Sequence, residues 1–178
     1  MKDNPGSRMI FSSLLVFLMV AMLALPVYAT EVEAGATTED GGINFSDYPY
    51  DDNQAIALAQ LMWAEARGCS KREQSLVAWT VLNRVDAGYD GMTDFWSILT
   101  APNQFAFWFD CPYEEFEHRI AIDILQRWVA EKDGVECSGR TLPHGYLYYS
   151  GDGEHNYFST DGYGSELWFG LGDPYENW

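Results

Sequence analysis

The sequence predicts an α+β class that is mainly helical, with a small aromatic-rich β or irregular portion at the C-terminal end. Three observations predict it. Apolar residues recur at three- and four-residue spacing through the middle of the chain. A hairpin-like signal follows near residue 150, and no internal repeat interrupts the 178 residues, a length suited to one domain plus a leader.

In chain order, Met1 to Ala29 reads as a signal peptide: Lys2 and Arg8 precede an apolar run, and Val27-Tyr28-Ala29 offers a small residue for cleavage. The run from Met9 to Leu25 sits at the short edge of what spans a bilayer, so the leader is the only route to a membrane if it stays uncleaved. Residues 30–52 are acidic, contain Gly41-Gly42 and lack Lys and Arg, which marks a spacer. The folded domain is expected over 53–178. Its first helix carries Ala55, Leu58, Ala59, Met62 and Ala66 on one face; Asp51, Asp52 or Asn53 can cap its start, and Gly68 can close it in the left-handed conformation. Ser70 and Glu73 form an S-x-x-E capping box for a second helix that is apolar nearly all round, hence central. Gly88 ends it. Thr93 or Asp94 caps a short helix through Leu99, and Ala101 to Phe107 is loop. Pro112 suits a first helical position, Phe116 to Trp128 follow at helical spacing, and Gly134 closes that helix. Tyr146 to Ser150 and Asn156 to Ser159 then flank Gly151-Asp-Gly-Glu154 as a hairpin.

The net charge of −17 moves to about −18 when the leader takes Lys2, Arg8 and Asp3 with it, which excludes nucleic acid and anionic lipid as electrostatic partners. Cys69, Cys111 and Cys137 leave at least one thiol unpaired; a Cys111–Cys137 bridge would bracket the long helix. No cysteine or histidine spacing resembles a metal site, and no cofactor motif is present.

Glu65 is the most informative side chain. It sits in the last turn of the first helix, at the edge of the apolar face and next but one to Trp63. A helix C-terminus and apolar neighbours both favour the protonated carboxyl, the form that can protonate a glycosidic leaving oxygen. The alternative is a surface residue paired with Arg67 or Lys71. Aromatic residues make up 16% of the chain, and many fall in loops beside Asn, Gln and Asp, as sugar recognition requires. Phe105 and Tyr148 belong to this set, and Asn103-Gln104 offers amides to an N-acetyl sugar. Packing of the same rings into the core is the competing reading. A second chemistry would use Cys69, beside a helix N-terminus, with His144 or His155 as base.

The runs Trp63-Ala-Glu-Ala-Arg-Gly68, Val77-Ala-Trp-Thr-Val-Leu-Asn-Arg-Val85 and Asn103-Gln-Phe105 together resemble the SleB-type cell wall hydrolases, the spore cortex-lytic family. Its members read AEARGE, AVVLNRV and QFS in that order at similar separations. Gly153-Glu-His-Asn-Tyr-Phe158 is similar to the family's G-x-H-x-F-Y segment, so the likeness covers Leu58 to Phe158. It implies a lysozyme-like fold and cleavage of peptidoglycan glycan strands, often as a lytic transglycosylase. It further implies Glu65 as general acid/base, Gln104 and Phe105 as substrate contacts, Asn83 as a buttress of the cleft and His155 as a lining residue. Cys69 replaces the family's acidic residue and Ala106 its serine, which alters substrate contacts. No second acid lies in a motif; Asp86, Asp90, Asp94 and Asp152 are candidates by number only. One glutamate suffices for a lytic transglycosylase, whereas two-carboxylate hydrolysis needs a partner across the bond. The expectation is a secreted, monomeric, wall-associated enzyme without metal. A wall-binding protein without turnover and a Cys69-dependent amidase or peptidase are the alternatives.

Overall fold

The computed structural model describes residues 43–136, 138–163 and 174–178; the leader, most of the acidic spacer and Cys137 lie outside the described residues. About half of the described residues are helical, and they include one small two-stranded sheet. Helix α1 (Asp52–Ala66) starts on Asp51, whose carboxylate accepts from the amides of Asn53 (2.8 Å) and Gln54 (3.4 Å). Helix α2 (Lys71–Ala87) starts on the expected capping box: Ser70 Oγ accepts from Glu73 N at 3.2 Å, and Ser70 N donates to Glu73 Oε2 at 3.4 Å. Every residue from Glu73 to Arg84 is buried, because α1, the short α3 (Phe95–Leu99) and the long α4 (Glu115–Lys132) all pack on α2. Its Leu76, Trp79 and Leu82 meet Leu58, Leu61 and Met62 of α1 and Ile120 and Ile124 of α4 in one core. Each such side chain contributes about 2 kcal/mol by leaving water.

Gly88 ends α2 at φ 62°, and Gly134 at φ 89° follows α4, whose last carbonyls it and Val135 satisfy. Asp94 caps α3, accepting from Ser97 N at 3.0 Å. Strands β1 (Tyr148–Gly151) and β2 (Asn156–Ser159) pair antiparallel, with Tyr149 opposite Phe158 and Gly151 opposite Asn156. Phe158 anchors this hairpin in the helical core.

Three expectations differ from the structure. Gly68 is not in the left-handed region; α1 ends at Arg67 in helical conformation, and Cys69 N closes the turn on Ala66 O at 2.8 Å. Pro112 precedes α4 instead of opening it, since Glu114 and Glu117 form a capping box two residues later. The end of the acidic spacer belongs to the domain. Phe45–Asp47 forms a 3-10 turn on α4, where Gln126 donates to Ser46 O (3.1 Å) and Tyr48 O (3.3 Å) and Arg127 lies 4.4 Å over the Phe45 ring. Among the described residues no helix is long and apolar enough to cross a membrane.

Candidate active site

A cleft of about 360 Å³ opens between the C-terminal end of α1 and the tip of the hairpin. Glu65, Arg67 and Cys69 line one wall; Gly151, His155 and Asn156 line the other. Glu65 is half-buried. Its Oε1 accepts from Ala106 N, in the loop that the Asn103-Gln-Phe105 motif opens, and Tyr149 of β1 hydrogen-bonds the same carboxyl. Burial first, and then the charge of Glu65, push the Tyr149 phenol far up, so this hydroxyl keeps its proton as a donor. No ion pair among the described residues involves Glu65. The pairing with Arg67 or Lys71 is not made: Arg67 lies over the Trp63 ring at 4.7 Å, and Lys71 donates to Trp178 O and lies 5.3 Å over Phe116.

What holds these donors in place is Arg84, buried at 5% exposure on α2. Its Nε donates to Leu147 O at 2.7 Å, just before β1, and its Nη1 donates to Gln104 Oε1 at 3.0 Å. The guanidinium also lies 4.7 Å over Phe105, which stacks on Tyr149 with ring centres 6.3 Å apart. One planar cation thus fixes both segments that reach Glu65, using the fork geometry that lysine lacks.

The sequence-named residues fall into two groups. Glu65 and His155 line one cleft, and Gln104 and Phe105 belong to the Arg84 assembly beside it. Asn83 is fully buried. Its Nδ2 donates to Pro143 O (2.8 Å) and Tyr146 O (2.9 Å), and its Oδ1 accepts from Arg140. It anchors the chain leading into β1 and has no atom for a substrate. Tyr148 does not face Glu65: successive strand side chains face opposite ways, so Tyr149 meets Glu65 whereas Tyr148 packs edge-on against Tyr89 at 5.8 Å. Arg84, Tyr149 and Asn156 are the participants that sequence reasoning missed. An arginine on a helix apolar nearly all round was the available signal, since such a group is buried only with partners.

Cys69 is not set up as a nucleophile. Burial, then the charge of Glu73, push its thiol up, and the Asn156 hydrogen bond offsets this only in part. Its Sγ contacts are Glu154 O (3.7 Å) and Asn156 Nδ2 (3.4 Å). His155 Nδ1 instead meets Glu73 Oε1 at 3.3 Å, and His144 lies with Glu131 and Asp86. Cys111 is a free, buried thiol.

Three of the four other acids have partners elsewhere, and none of the four lines the cleft. Asp86 pairs with Lys132 (2.7 Å) and Arg140 (3.1 Å), and Asp94 caps α3. Asp90 occupies a turn at φ 51°. Asp152 accepts from the amides of His155 (2.8 Å) and Glu154 (2.9 Å) and from Tyr157 OH (2.7 Å), bonds that hold its carboxyl down at about 2. Among the described residues lining the cleft, Glu65 is the single carboxylate. No group of three or more potential metal ligands occurs among the described residues. Compared with protein-family models, curated proteins and solved structures, the chain matches none.

Proposed function

We propose that this chain is a secreted, wall-associated enzyme with a lysozyme-like domain that cleaves the glycan strand of peptidoglycan. Glu65 is its acid and base. The observation that carries the reading is the convergence on Glu65: a half-buried carboxyl with no ion-pair partner among the described residues, lining an open cleft and oriented by the Ala106 amide and Tyr149. The resemblance to SleB-type hydrolases supplies the substrate class. Absence of a second carboxylate from the described cleft lining supports the single-acid route over paired-carboxylate hydrolysis.

In the first step the protonated Glu65 carboxyl gives its proton to the glycosidic oxygen. The C1–O bond breaks, and its electron pair goes to that oxygen. In the second step the Glu65 carboxylate takes the proton of the muramic 6-hydroxyl, whose oxygen closes on C1. The product is an anhydro end, and Glu65 regains its proton. The Tyr149 hydroxyl can rotate to follow each protonation state.

Mass spectrometry of peptidoglycan digested by the purified protein tests this. Anhydro-muramyl ends are expected from the native chain and from Cys69→Ala, with none from Glu65→Gln. Reducing ends alone would replace the transglycosylase step by hydrolysis. A dead Cys69→Ala variant, or no fragments from several walls, would overturn the reading.

A further inference from the structure

The loop that orients Glu65 continues into two exposed rings. Trp108 is 51% and Phe109 63% exposed, large fractions for side chains of this kind. They are not loose. Trp108 meets Trp63 of α1 edge to face, with ring centres 6.5 Å apart at 82°, and Phe109 stacks on Trp96 at 6.4 Å and 29°. Trp63 is in turn covered by Arg67 at 4.7 Å, and Arg67 lines the cleft with Glu65. Side-chain contacts therefore lead from the cleft residue Arg67 over Trp63 to Trp108, whose chain neighbour is Phe109.

We propose that this surface is a carbohydrate-binding ledge that holds sugars of the strand on one side of the scissile bond; it rests on the reading of Glu65 as a glycan-cleaving acid. Pyranose rings present an apolar face that stacks on aromatic rings, and rigid, prepacked rings bind with little loss of side-chain freedom. Ala106 and Phe109 are three residues apart, so their separation is at most about 10 Å, the reach of about two linked sugars. Arg67, beside the Trp63 ring, offers donors to an acetamido or carboxylate substituent. Charge argues against a second copy of the chain as occupant, since two molecules at −17 repel.

The test is titration of the Glu65→Gln protein with chitotetraose, a tetramer of N-acetylglucosamine, followed by calorimetry and tryptophan fluorescence. Trp108→Ala in that background is expected to weaken binding about tenfold, with Phe109→Ala weaker in effect and Trp108→Tyr largely restoring affinity. No binding by the Glu65→Gln protein, or affinity unchanged by Trp108→Ala, would overturn the ledge. So would a change of sedimentation on Trp108→Ala without a change in binding, which would identify self-association instead. Failure of the two readings is distinguishable. Fragment release by the native chain with Trp108-independent binding removes the ledge alone. Trp108-dependent binding with no fragments from any wall removes the cleavage and keeps the ledge.

Discussion

Glu65 and Glu131 occupy equivalent local positions and have opposite surroundings. Each is the penultimate residue of its helix, half-buried, at the end where the helix dipole is negative. Glu131 is met by Arg140 Nε at 2.8 Å, Ser138 Oγ at 3.1 Å and His144 Nε2 at 2.5 Å. Asp86 joins through the same Arg140 and His144. Glu65 has the Ala106 amide and the Tyr149 hydroxyl, and no cation pairs with it among the described residues. Compensated by cations, a helix-end carboxylate joins elements together, here α4, α2 and the chain leading to β1. Held by neutral donors beside a cleft, the same group is oriented but not ion-paired. The two acids differ in their partners, not in their burial.

The contrast breaks most visibly with Glu65→Gln. Fragment release is expected to fall about 10³-fold while the urea midpoint stays near the native one. A large loss of stability would place Glu65 with Glu131 as a structural group. Arg140→Met should do the reverse. It leaves Asp86 and Glu131 short of their shared cation, which costs about 3 kcal/mol in urea unfolding.

The same region sets a pH dependence. Burial pushes the Glu131 carboxyl up, but the Arg140 hydrogen bond and charge, with Ser138 and His144, hold it below its ordinary 4.5 overall. A carboxylate so depressed in the folded state adds stability that is complete above its ordinary value and is lost as pH falls through the folded one. Thermal melts from pH 7 to 3 should therefore decline below about pH 4.5 in the native chain. Arg140→Met should decline less steeply, and an unchanged slope would show that Glu131 is not its source.

Tyr149→Phe removes one donor to Glu65 and keeps the ring on Phe105. Activity should drop about tenfold with about 1 kcal/mol of stability lost; full activity would leave the Ala106 amide as the sole orienting group. The smallest effect belongs to the glycines. Gly68 has no positive φ, and a Cβ there meets nothing within 4 Å, so Gly68→Ala should change stability by under about 0.5 kcal/mol. Gly88→Ala, at φ 62°, should cost about 1 kcal/mol.

What the sequence made legible was local. Asp51, the Ser70–Glu73 box, Asp94 and the residues flanking the hairpin turn act within a few positions of themselves, so spacing exposed them. Gly68 and Pro112 were misread because each sits where a neighbour takes the expected role: Arg67 ends α1, and Glu114 with Glu117 starts α4. At the candidate site, Glu65 was legible from its place on a helix edge. Its partners were not, because Ala106 lies 41 positions away and reaches it through a backbone amide, which no side-chain pattern encodes. Asn83 shows the same limit. A polar residue on a buried helix announces that it has partners, but not that they are carbonyls about sixty positions on. Strand register decided Tyr149 over Tyr148, and alternation alone does not say which face meets the helices.

Arg84 has a mechanical consequence. Because one side chain grips Leu147 O, Gln104 and the Phe105 ring, release of the loop from α2 is coupled to release of the hairpin. The two segments that reach Glu65 share this anchor, so their opening is coupled. In amide hydrogen exchange, Ala106 and the β1 residues should lose protection together when Arg84 is replaced by Met, although 41 positions separate Ala106 from Leu147.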